Sequence, residues 1–406
     1  MTMSRRQVLT ATAGLGLLVT ACGSPSSPGS KSPVAGTAEA VPATPSEPVV
    51  LNVLDVAGNL QLTQPMIDDF VKKNPKIISK VTYTSATAPD LVGKIKAQQG
   101  ADRVSIGLVL TGTDGLAAGI EQNLWQQLLP ANQQRLSNMA NYQEPAANMQ
   151  KLAGDAGVVV TYYPSGPLLE YMPDRVPEPP TTAEALLAYA KANPGKVEYA
   201  RPANSGPGRT LLMGLPYVLG DSDPHDPVNG WDKTWAYLAE LAEYIDRYPS
   251  GTTQTMKDLA GGTVDIIAST TGWDINARAL GTVPAEAKIT TLDGFHWVTD
   301  AHYAVVPRGV STDQEAAVLA LVQNMLTPEQ QAQAYDTGYF YPGPAIQGVD
   351  VSMAPAQSQE VLKTYGRPEY DALIEDNPKE VPLEAEALVK AFDTWDREIG
   401  GSKVEK

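Results

Sequence analysis

Apolar residues recur along this chain in two alternating periods, and their order predicts an α/β protein. A short apolar run over residues 49–54 is followed over 62–74 by Leu62, Met66, Ile67 and Phe70, spaced as one face of a helix. The same pair repeats at 80–84 with 89–98, and again at 105–110 with a helix opening near Asp114. Three strand-then-helix units in succession predict a parallel, doubly wound sheet. Residues 157–162 predict a further strand.

The middle of the chain reads as a second lobe. Prolines at 164, 167, 173, 177, 179 and 180 crowd its entry and suit a crossover segment better than a helix. Helices are predicted over 182–192, 210–219 and 230–247, with a strand at 197–200 between the first two. Trp235, Leu238, Leu241 and Ile245 share one face of the long helix and are assigned to the core. Strands follow at 264–268 and within 294–308, then helices at 311–325, 327–335 and 383–399. The helix at 327–335 opens on Thr327-Pro328-Glu329, a cap followed by a proline in the first turn.

The loops closing the first three strands, at 55–59, 85–88 and 111–114, are small, polar and placed just before helices. In an open parallel sheet, ligands collect at the carboxyl ends of the strands, beside helix N-termini with unpaired N–H groups. Any one such loop is explained by capping alone, but three alike in succession point to a ligand. Asn59, Thr87 and Thr113 are the candidate contacts from them.

The N-terminus changes the picture by saying where the chain works. Arg5 and Arg6 precede an apolar stretch at 10–19, and Val19-Thr20-Ala21-Cys22 follows. A basic start, a short apolar centre and small residues before a cut site make a secretory signal over 1–21, since a spanning helix needs about 20 apolar residues. The arginine pair resembles a twin-arginine signal, and Val19-Thr20-Ala21-Cys22 resembles a lipobox. Cys22 is the sole cysteine, so no intramolecular disulfide exists and acylation is its expected fate. Residues 22–48, almost wholly Gly, Ser, Pro, Ala and Thr, read as a flexible spacer. The expected location is extracytoplasmic, lipid-anchored at the outer face of a bacterial membrane.

Composition adds bounds. The length of 406 residues exceeds what a single core usually serves, so two lobes are expected. A net charge of -16 disfavours nucleic acid as a partner. No nucleophile elbow, Walker lysine loop or H-E-x-x-H motif is present, and His225, His296 and His302 have no ligand spacing. The reading is therefore not an enzyme, with no cofactor and no metal.

From 264 to 344 the features come in a telling order: a buried strand and polar loop, then Ala304-Val305-Val306-Pro307, a helix, Leu326-Thr327-Pro328-Glu329-Gln330-Gln331-Ala332, and Thr337-Gly338-Tyr339. This resembles the ending of bacterial periplasmic-type solute-binding proteins of ABC importers, in the branch that binds polyamines, thiamine and ferric iron. The resemblance implies a two-lobed fold, each lobe a mainly parallel sheet flanked by helices, closing on a solute by hinge motion. It implies ABC permease subunits as partners, a small-molecule solute and a monomer. The expected lobes are 49–161 with about 264–310, and 162–263 with about 311–400.

Candidate contacts follow. Trp273 and Asp274 would present a ring and a carboxylate together, as a cationic amine requires. Trp297 and Asp300, with Tyr303, stand in the segment where polyamine-binding relatives keep a Trp and an Asp. Tyr162, Tyr163, Tyr339 and Tyr341 lie at expected crossings between lobes. Arg209, opening a helix after Gly206 and Gly208, argues the other way, for a carboxylate or phosphate. The expected solute is small, polar and cationic, polyamine- or thiamine-like. A sugar or iron, and a surface enzyme or adhesin on the same fold, are the alternatives.

Overall fold

Two sheets organise the chain in the computed structural model, which describes residues 40–404, Ala57 excepted. The expected signal, Cys22 and most of the expected spacer lie outside the described residues. The chain divides into Met1–Ala40 and Val41–Lys406, and the fold is that of the second unit.

Its strands are β1 (Val49–Val56), β2 (Ile78–Ala86), β3 (Ile106–Thr111), β4 (Gly157–Gly166), β5 (Leu168–Tyr171), β6 (Val197–Glu198), β7 (Ile266–Ser269), β8 (Lys288–Thr290), β9 (Trp297–Val305) and β10 (Lys379–Glu380). The larger sheet runs β10-β9-β3-β1-β2, with β4 also paired to β9, and the smaller runs β6-β7-β5-β8. Its principal helices are α1 (Leu60–Lys73), α2 (Ala88–Gly100), α3 (Thr113–Glu121), α4 (Glu144–Ala153), α5 (Ala183–Ala192), α6 (Gly206–Leu219), α7 (Asp232–Ala242), α8 (Thr252–Gly261), α9 (Thr271–Ala279) and α10 (Thr312–Met325).

The three strand-helix units form as the periodicity predicts. β1 pairs in parallel with β2 and β3, and α1 buries Leu62, Met66, Ile67 and Phe70. β3 is buried along its whole length, as a central strand covered on both faces must be. Pairing is otherwise mixed. β9 runs antiparallel to β3 and β4, and β5 runs antiparallel to β7 and β8. These are the strands next to the points where the chain changes sheet: β4 passes into β5 across Pro167, and β8 returns into β9.

Each sheet has its own core. Leu51, Val53, Leu108, Leu110, Val318 and Val322 pack in the larger, and Leu169, Leu212, Trp231, Leu238, Leu241, Ile245 and Ile266 in the smaller. The segments divide differently from the expected lobes. β7 belongs to the smaller sheet and β9 to the larger, so 264–310 is split between them. α10 packs on the larger core, whereas Leu388, Ala391 and Trp395 of the helix Ala385–Trp395 pack on the smaller. Periodicity shows that a face is buried, not against which sheet.

The helix predicted over 230–247 stops at Ala242, and the backbone then reaches Tyr248, which bridges to Val404. The end of the spacer is held rather than free. Val41 packs on the larger core, Arg135 donates to the carbonyls of Pro42 and Ala43, and the Ser46 N–H donates to Asp313 at 3.0 Å. Among the described residues no helix is long and apolar enough to cross a membrane.

Candidate functional site

Where the chain changes sheet, loops from both sides face one cavity of about 360 Å3. The larger sheet contributes Gly58 after β1, Gly112 and Asp114 around the start of α3, Tyr163 of β4, and Asp300 and His302 of β9. The other side contributes Asn204, Ser205, Gly206 and Arg209 around the start of α6, Gly251 to Thr253 at the start of α8, and Trp273 in the first turn of α9. Tyr339 and Phe340 complete the wall.

Its polar centre is Asp300, 3% exposed. This carboxylate accepts from Thr113 Oγ1 at 2.7 Å, from the Tyr163 hydroxyl at 2.7 Å, from the Ala301 N–H at 2.9 Å and from the Arg209 guanidinium. Arg209 also stands 3.6 Å from Asp114 Oδ2. Burial by itself would raise the pKa of Asp300, but the Arg209 charge and the two hydroxyls hold it below the usual carboxylate range. For Arg209 the desolvation cost is outweighed by Asp300 and Asp114, so the guanidinium stays charged. Since α6 packs in the smaller core, this ion pair spans from one sheet to the other.

The opposite wall is aromatic. Tyr163 stacks on Phe340 at 4.5 Å, Phe340 on Tyr339 at 4.0 Å, and Trp273 meets Tyr339 edge-on at 5.3 Å. Phe340 adopts a left-handed backbone (φ 54°), a strained choice for a bulky residue. Gly272 permits it, because a Cβ there would lie 2.3 Å from the Phe340 ring. His302 contacts Phe340 edge-on at 4.6 Å, and burial lowers its pKa to about 4, leaving the ring neutral at pH 7.

Of the residues singled out from sequence, Tyr163, Arg209, Trp273, Asp300 and Tyr339 line this cavity. Thr113 supports it from behind through Asp300. The others sit elsewhere, each for an identifiable reason. Asn59 is fully buried and donates to the Val56 carbonyl at 2.7 Å, closing the turn into α1. Thr87 caps α2 by accepting from the Asp90 N–H. Tyr162 alternates with Tyr163 along β4 and packs in the larger core.

Asp274 and Trp273 are consecutive on a helix and therefore point about 100° apart. Asp274 is fully buried and is taken by Arg278 at 2.9 Å, Arg367 at 2.6 Å and the Tyr370 hydroxyl at 2.7 Å. Trp297 is three residues from Asp300 on a strand, an odd separation that puts it on the other face. It is fully buried, donates to the Leu373 carbonyl at 2.9 Å and packs against Phe295. Sequence reasoning missed Thr252, Thr253 and Phe340, passed over Asp114 within its loop, and weighed His302 only as part of an iron site with His296, Tyr339 and Tyr341. His302 lies two residues from Asp300 and so shares its face; Gly251-Thr252-Thr253 has the same small, polar make-up as the other loops.

A larger groove of about 710 Å3 runs between α3, α4 and the helix Ala385–Trp395. Leu116, Ile120, Leu152 and Val389 help line it, and at Thr113, the first residue of α3, it reaches the back of the Asp300 cluster. Among the described residues no group of three or more His, Cys, Asp or Glu is arranged to hold a metal ion.

Two sheets with separate cores, joined by crossing strands and enclosing a cavity that both line, define a two-lobed solute receptor. Residues 65–362 match the family described as bacterial extracellular solute-binding protein, and the chain belongs to that family. Over 209 residues it is 27% identical to Protein YnjB of Escherichia coli (strain K12). That match covers 47% of this chain and 51% of YnjB, so the chain spans about half the length of the curated relative it matches. In fold it is similar to a periplasmic thiamin binding protein, with a TM-score of 0.60 at 15% identity over 89% of this chain and 99% of that one. It is likewise similar to a putative spermidine/putrescine ABC transporter from Listeria monocytogenes, with a TM-score of 0.57 at 14% identity over 85% and 99% of the two chains. At such identities the likeness is one of fold. The family is one of extracellular solute-binding proteins, which places the chain outside the cytoplasm.

Proposed function

We propose that this protein captures a small polar solute in the 360 Å3 cavity and hands it to the permease of an ABC importer. The observation that carries this reading is the cavity itself, lined from both sheets and spanned by the Arg209–Asp300 pair. Two rigid lobes meeting over a solute supply contacts from both sides, and hinge motion at the crossing strands releases it. In this reading the lobes are divided by sheet membership, the chain is a monomer, and an acyl group on Cys22 tethers it after export by the twin-arginine or general route.

A cationic solute, polyamine- or thiamine-like, is the reading the fold relatives' names favour. It rested on Asp274 and Asp300, and both carboxylates are engaged by arginines. An amine would have to take one from its partner. A sugar finds aromatic faces in Trp273 and Tyr339; iron finds only Tyr163 and Tyr339 among the expected tyrosines at the cavity.

Thermal unfolding of the full chain against amines, sugars, amino acids, organic phosphates and ferric salts tests the reading. A solute at 100 times its dissociation constant stabilises by about 2.7 kcal/mol, a shift of several degrees that is easily seen. No shift with any class would refute it.

A further inference from the structure

Three of the helices that begin at the cavity, α6, α8 and α9, come from the smaller-sheet side. A helix start carries unpaired N–H groups and about half a positive charge, ordinarily offset by an acid in the first turn. In α6 and α8 the first turns hold no acid, and in α9 Asp274 is consumed by Arg278 and Arg367. Among the described residues the N–H groups of Gly206, Thr252 and Thr253 donate to nothing. A Cβ at Gly251 would meet nothing within 4 Å, and one at Gly206 only Trp273 Nε1 at 4.0 Å, so the backbone there is open to an approaching group.

A second, independent observation lies across the cavity. His302 is 1% exposed, lines the same space, and its Nδ1 has no hydrogen-bond partner. A buried, unpartnered ring nitrogen costs free energy unless something bonds to it. Arg209 lines the same space, and with its charge already paired to Asp300 and facing Asp114 it offers further N–H donors rather than a net positive charge.

Resting on the solute-binding reading above, we infer that the solute carries an oxyanion, a carboxylate or phosphate, received by the N-termini of α6 and α8 beside Arg209, with its body against the Trp273–Tyr339–Phe340 wall. Asp114 is the group that speaks for a cation. Its carboxylate, however, already accepts from the Gly115 N–H at 2.8 Å and faces Arg209, so it caps its own helix. Asp300 has four donors of its own. An anion meets donors that are already in place, whereas a cation must first displace Arg209.

The test compares probes that share a ring and differ in head group: benzoate, phenyl phosphate, benzylamine and phenyl glucoside, with inorganic phosphate as a ringless anion, titrated into the full chain and into Thr253→Asp. An acid in the first turn of α8 favours the helix, so this variant is expected to unfold no earlier than the parent. It puts a negative charge where the oxyanion would sit. We expect benzoate or phenyl phosphate to bind the parent, the stronger of the two naming the head group, and to bind Thr253→Asp at least about tenfold more weakly. Preference for benzylamine or the glucoside overturns the anion assignment while leaving solute capture intact. Anion binding of equal strength in Thr253→Asp overturns the location. If no probe of any head group binds and the broader solute panel also gives no shift, solute capture fails with it.

Discussion

Asp300 holds four donors at once, and its loss leaves Arg209 buried with only Asp114 opposite. Removing one partner of a buried ion pair typically costs about 3–5 kcal/mol, because the remaining charge is left without water and without its nearest counter-charge. Asp300→Asn is therefore expected to lower the unfolding free energy by that order, measured by urea titration. Glu170 behaves in the opposite sense. Burial raises its pKa from 4.5 to about 8, with Asp274 adding to the rise, and Oε1 has no partner while Oε2 accepts from Ser269 at 2.9 Å. An acid that holds its proton more tightly folded than unfolded weakens the fold as pH rises from about 4.5 to about 8, and the loss is complete above that. Glu170→Gln keeps a group for Ser269 and removes the titration. It should raise the melting temperature at pH 9 and leave it nearly unchanged at pH 4; a uniform shift at both would contradict the assignment. At this scale the sequence was only partly legible. Asp300 and Arg209 were named separately, but nothing in one dimension shows that a helix start and a strand 91 positions apart meet as a pair.

Secondary elements were more legible than the side chains that project from them. The strand-helix alternation of the first three units follows from apolar periodicity, and the loops after β1 and β3 do reach the cavity. Within those loops the selected residue was off by one position: Asn59 beside Gly58, and Thr113 between Gly112 and Asp114. A polar side chain in a loop is as readily a brace as a contact, and the group facing the solute there is often backbone at a glycine. Two pairings also ignored the element's own period. Trp273 with Asp274 treats helix neighbours as coplanar, and Trp297 with Asp300 treats a strand's odd separation as one face. The loop after β2 lies outside the cavity, and Thr87 there is a cap. Thr87→Ala should cost about 1 kcal/mol of stability, as loss of an N-cap does, while leaving the affinity for any solute unchanged. A loss of affinity would return Thr87 to the site.

At the scale of the whole molecule, two cores lie on two sheets, and the chain crosses between them at β4–β5 and β8–β9. The division into lobes could not be read correctly from order alone, because the chain returns to each sheet more than once. β7 joins the smaller sheet, β9 the larger, and the helix Ala385–Trp395 the smaller core again. Where those returns meet, a neutral histidine, a committed ion pair, uncovered helix starts and an aromatic wall share one small space. The central claim is that this space is where a solute is held. Calorimetric titration of the full chain and of Trp273→Ala, with the most stabilising solute from the thermal panel, tests it most directly. Trp273 is half-buried at the cavity edge, packed against Tyr339, Phe340 and a small apolar cluster with Met256 and Leu259, so its truncation removes ring contact at the cavity. The account predicts one solute per chain in the parent and affinity at least about tenfold weaker in Trp273→Ala, consistent with an aromatic contact worth about 1.5 kcal/mol or more. Equal affinity in the two proteins would contradict it and move the binding site elsewhere on the chain.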